Sequence, residues 1–110
     1  MTDQSNDGRA TPFPNTPLDP CCADQKPLRV AALSVPKKVA GAIAGQMRDS
    51  GCAELHAVGP EAVNQTVKSI ALAKSYLIAD HISLIIEIDF MMVDINGSER
   101  NGIRFCIKRG

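Results

Sequence analysis

Near the C-terminus the dipeptide Asn96-Gly97 separates two apolar-alternating runs, LIIEIDFMMV and IRFCIK. A two-residue hairpin turn of type I′ needs positive φ at both positions, which Asn and Gly adopt most cheaply. The pair therefore predicts a hairpin and also sets its register. Counting outward places Phe90 opposite Ile103, Ile88 opposite Phe105 and Ile86 opposite Ile107, all on one face. The other face has Asp89 opposite Arg104, with Glu87 diagonal to Arg104 and Lys108. A slip of one residue would turn the apolar set to the wrong side, so the agreement of both faces supports this pairing. Glu87 and Asp89 then read as cross-strand partners of basic residues, not as a catalytic carboxylate pair. Phe90 and Phe105 are assigned to the core face, which leaves no aromatic platform for stacking bases. One pair conflicts: Asp94 falls opposite Glu99, which predicts a bulged or splayed tip.

Upstream, LRVAALS (28–34) reads as a short strand of small residues. Ser34 is placed to cap a helix through VPKKVAGAIAGQMRDS, with Pro36 in its first turn and Gly51 ending it. Val39, Ile43 and Met47 recur at helical spacing and predict a buried stripe. Gly41 and Gly45 lie on the other side, where they would allow close backbone approach as a packing device. CAELHAVG reads as a second strand, and a helix joining two strands suggests a βαβ unit.

The stretch AVGPEAVNQTVKSIALAKSYL, Ala57 to Leu77, gives a Gly-Pro lead-in and a long helix. Val63, Val67, Ile70, Ala71 and Leu77 are its predicted buried face. Leu72 and Tyr76 lie roughly opposite. Apolar groups on two sides predict a second partner surface, a subunit contact, and dimerisation would supply burial that so small a core lacks. The predicted order is β-α-β-α-β-β, an α/β domain with two helices on a small four-stranded mixed sheet.

Residues 1–27 hold five of the seven prolines, show no helical or strand period, and predict a disordered arm ahead of a domain at 28–110. Arg9 and Lys26 against Asp3, Asp7, Asp19 and Asp24 give the arm a net charge of −2. The whole chain is neutral, so the domain carries +2, only weakly basic. No apolar run is long enough for a membrane span and none opens the chain as a signal peptide would. A cytoplasmic location follows, with Cys21, Cys22, Cys52 and Cys106 expected as free thiols. No CxxC pair occurs, and His56 and His81 are scattered, so no metal site or cofactor is predicted. Nor does any Ser, Cys or His constellation suggest an enzyme; His56 reads as a partly buried strand residue.

Three segments carry a resemblance. VAGAIAG (39–45), AVGPEAVNQTVKSIALAK (57–74) and INGSER (95–100) are similar to the stage V sporulation protein S (SpoVS) family, in its order and spacing. The resemblance spans about residues 28–109. It implies an Alba-like two-layer sandwich and a non-enzymatic regulatory protein of bacterial sporulation and development. Alba-like proteins bind DNA or RNA, usually as dimers, through the loop and helix start after the first strand, the second helix and the hairpin arms. Carried over by position, these are Lys37 and Lys38, then Asn64, Gln65 and Lys68, then Arg100. Leu72 and Tyr76 remain the candidate subunit contact. The lysine pair departs from the Alba pattern by following Pro36 inside the helix, and the hairpin tip is acidic. An interaction module that regulates development without touching nucleic acid is the alternative, with the Asn64–Gln65–Lys68 face and a Gly41/Gly45 groove contacting protein.

Overall fold

The computed structural model describes residues 21–22 and 25–110. The disordered arm predicted for 1–27 lies largely outside the described residues. The elements run β1 (Leu28–Val30), α1 (Pro36–Ser50), β2 (Cys52–Ala57), α2 (Pro60–Leu77), a 3₁₀ turn (Ile78–Asp80), β3 (Leu84–Ile95) and β4 (Ser98–Arg109). The sheet order is β1-β2-β4-β3, with β1 parallel to β2 and the other pairs antiparallel. This is the predicted α/β architecture, a small Alba-like β-α-β-α-β-β fold. Ala53, Leu55, Ala57, Phe105 and Ile107 alternate along β2 and β4 onto one buried face. Ala40, Ile43, Ala44 and Met47 of α1 meet them there, with Ala62, Ile70, Ala73 and Leu77 of α2.

The hairpin has the predicted register along its whole length, from Ile95↔Ser98 to Leu84↔Arg109. Asn96 (φ 53°) and Gly97 (φ 82°) supply the two positive values that the turn demands. No bulge forms at the tip: Asp94 and Glu99 stay paired and both are exposed, so water screens their repulsion. Pairing with β2 covers only Ile103–Lys108 of β4. The five residues 98–102, with their β3 partners, form an arm reaching roughly 17 Å past the sheet.

Several side chains depart from expectation. β1 ends at Val30, because Ser34 N–H donates to Ala31 O (3.0 Å) and the Ser34 hydroxyl accepts from Ala31 N–H (2.8 Å). Ser34 thus closes a turn and does not cap α1, whose N-cap is Val35. The α2 face is rotated from the predicted one: Val67 is 53% exposed and Ala71 is exposed, whereas Thr66 and Ser69 are buried. Their hydroxyls donate one turn back, Thr66 Oγ1 to Ala62 O (2.9 Å) and Ser69 Oγ to Gln65 O (2.7 Å). A hydroxyl satisfied in this way can enter a core that hydropathy would deny it. A Cβ added at Gly41 or Gly45 would touch nothing within 4 Å, so the expected close packing at the glycine pair is not made among the described residues.

Phe90 is also not in the core. It is 54% exposed, as is Ile88 at 61%, because β3 is the edge strand and packs mainly against β4. The cysteines are not free either. Cys21 is bonded to Cys106 and Cys22 to Cys52, with Cα separations of 5.7 and 6.0 Å, within the usual range for a bridge. Finally, Arg104 sits opposite Asp89 as predicted, but its ion pair among the described residues is with Glu54 on β2 (Nε to Oε2, 3.4 Å).

Candidate functional site

Topology decides which residues meet. β1 and β2 are parallel and each leads directly into a helix, so α1 and α2 both start at the same end of the sheet. β3 runs parallel to β2, since both are antiparallel to β4, and the hairpin tip projects from that same end. Lys37, Lys38, Asn64, Gln65 and Arg100 therefore lie toward one end of the molecule, and Lys68 follows midway along α2. Lys37 and Lys38 are exposed in the first turn of α1. Asn64 and Lys68 stand exposed, one turn apart on α2. Arg100 is exposed on the projecting arm, opposite Val93.

Gln65 is different. It is half-buried, and its Nε2 donates to Ala32 O at 3.1 Å, tying the start of α2 to the loop between β1 and α1. Its amide thus holds the loop that precedes the lysine pair. That loop also carries Leu33, 93% exposed, and Val35, 50% exposed. Sequence reasoning missed Leu33 by reading it as strand; the signal was Ser34, which turns the chain back on Ala31.

The electrostatics of this end are simple. Among the described residues, no ion pair involves Lys37, Lys38, Lys68 or Arg100, in contrast to Arg48, which pairs with Asp80 at 2.9 Å. Neither helix start is capped by a side chain. Uncapped first-turn amides add partial positive charge to the same surface. Against this stand Glu61 in the first turn of α2 and the acidic pair Asp94 and Glu99 at the hairpin tip.

The proposed subunit residues lie toward the opposite end. Leu72 is partly buried and packs on the core cluster, while Tyr76 is 38% exposed. The two lie one turn apart on α2. The larger exposed apolar strip is on β3, where Ile86, Ile88, Phe90 and Met92 alternate on the helix-side face, 38 to 61% exposed.

The family model for stage V sporulation protein S matches residues 26–110. The chain belongs to the SpoVS family. It is accordingly a sporulation-related protein, and the matched span holds both helices, all four strands and every candidate residue named above. No helix among the described residues of this SpoVS protein is long and apolar enough to cross a membrane.

Proposed function

We propose that this SpoVS protein is a non-enzymatic regulator that binds DNA or RNA through the end of the sheet where both helices begin. The observation that carries the reading is convergence. Lys37, Lys38 and Arg100, without ion pairs among the described residues, lie with two uncapped helix starts and a projecting hairpin arm toward one end of the sheet, and Lys68 follows midway along α2, although they come from separate parts of the chain. Lys37, Lys38, Lys68 and Arg100 would neutralise phosphates, and first-turn amides favour the same anions. Asn64 can donate to phosphate or sugar oxygens without reading sequence. Leu33 offers an apolar contact beside the lysines. The modest charge of the domain makes the affinity modest and salt-sensitive.

The active unit in this proposal is a homodimer. The strip Ile86, Ile88, Phe90 and Met92 is the surface that a second copy would cover, because it continues the core face of β4 beyond the reach of the helices. Joining two copies there would place two basic ends on one polymer and raise avidity. The competing reading, a module that contacts only protein, is favoured by the open surface at Gly41 and Gly45. Lys37→Glu combined with Lys38→Glu separates the two. Nucleic-acid binding predicts weakened retention on heparin and on a labelled duplex or single strand, at an unchanged elution volume. Unaltered retention, or a shift in oligomer size without loss of binding, would favour the protein-contact reading.

A further inference from the structure

The four cysteines occupy a single place. Cys106 shares the helix-free face of the sheet with Glu54 and Glu87, its partners across the two ladders, and Cys52 begins β2 on the same face. Adjacent Cys21 and Cys22 lie across this face and reach both strands, one bonded to β4 and the other to β2. Beneath them is a charged cluster. Glu54 Oε2 meets His56 Nε2 at 2.5 Å and Arg104 Nε at 3.4 Å, and Glu54 Oε1 accepts from Cys21 N–H at 3.3 Å. Burial follows the crossing segment. The side chains of Glu54 and Arg104 are only 13% and 8% exposed, while Glu87, Asp89 and Lys108 on the same face are exposed.

From this arrangement we infer that the four cysteines form a reversible thiol–disulfide site, a latch holding the N-terminal segment over the Glu54–His56–Arg104 cluster. Two features make it a latch and not an internal staple. The core under the helices is built from residues of both helices and of the sheet, on the face away from the bridges. Opening the bridges therefore removes no core contact. Each bridge also joins a buried cysteine, Cys106 or Cys22, to a half-buried one, Cys21 or Cys52, which is the more open side for an external thiolate.

The chemistry balances with a dithiol reductant. Its thiolate attacks the half-buried sulfur and forms a mixed disulfide, and the buried cysteine leaves as a thiolate that takes up a proton. The second thiol of the reductant then displaces the protein sulfur and departs as a disulfide. Each bridge gains two electrons and two protons, and each reductant molecule loses them. Opening both bridges leaves, among the described residues, the Cys21 amide to Glu54, the Cys21 thiol to Ala53 O at 3.6 Å and the Gln25 amide donating to the Ser50 hydroxyl. The charged cluster is then uncovered.

The test uses the full chain, purified without reductant and blocked with a thiol reagent. Trypsin should leave peptides 10–29, 49–68 and 105–108 joined as one species, because Cys21 and Cys22 share a peptide and Pro27 protects Lys26 from cleavage. Dithiothreitol should then speed amide hydrogen exchange at 21–22 and 25–26 by about tenfold or more, and leave β2 and β4 unchanged. Cys21→Ser with Cys22→Ser should show the exchange pattern of the reduced protein. Four blocked thiols in the starting material would overturn the inference. So would unchanged exchange at the segment on reduction, or equal loosening of β2 and β4, which would make the bridges structural.

Discussion

The polar side chains from Asn64 to Ser69 enter three environments. Asn64 and Lys68 face outward, Gln65 is tied to Ala32 O, and Thr66 and Ser69 are buried with their hydroxyls bonded one turn back. Substitutions should separate accordingly. Thr66→Val keeps the volume and removes both the hydroxyl and its need for a partner, so chemical denaturation should shift by no more than about 1 kcal/mol. Ile43→Ala opens a hole where exposure is 0%, and should cost about 2–5 kcal/mol in the same experiment. Leu33→Ser and Gln65→Ala lie outside the core and should change stability by no more than about 0.5 kcal/mol. Both should still weaken nucleic-acid binding several-fold in a fluorescence titration, the first by loss of contact and the second by freeing the loop before the lysine pair. Unchanged binding in both variants would remove that loop from the interface.

At the level of elements, the β3–β4 hairpin was legible because its information is local: a turn dipeptide and a two-residue period fix every pair. The helix starts were legible from Pro36 and from Gly59-Pro60, and with them the positions of Lys37, Lys38 and Lys68. What escaped depends on neighbours distant in sequence. Which face of α2 is buried is decided by α1 and the sheet, and satisfied hydroxyls at Thr66 and Ser69 disguise it. Phe90 looked like core because its register was right, but β3 lies at an edge that the helices do not cover. The bridges were invisible because no spacing rule links Cys21 to Cys106. This edge yields a further prediction. Ile88→Glu, at a position 61% exposed in a single chain, should leave the fold intact and convert a dimer to a monomer in analytical ultracentrifugation. A dimer that survives this change would place the subunit contact elsewhere.

For the molecule as a whole, the charges are unevenly placed although they cancel. Lys37, Lys38 and Arg100 lie toward the end with the helix starts and make no ion pair among the described residues, and the Glu54–His56–Arg104 cluster lies under the bridged segment on the helix-free face. A weakly basic domain can bind a polyanion only if its few cations act together, and such binding has a thermodynamic signature. Each phosphate neutralised releases counterions, so the logarithm of affinity falls linearly with the logarithm of salt concentration. The decisive measurement is that slope, for a duplex and for a single strand, with the native protein and with the Lys37→Glu, Lys38→Glu variant. The proposed interface predicts a linear fall in the native protein, and a slope reduced in magnitude by about 2 for each engaged subunit of the variant. No binding at low salt, or the same slope in both proteins, would contradict it.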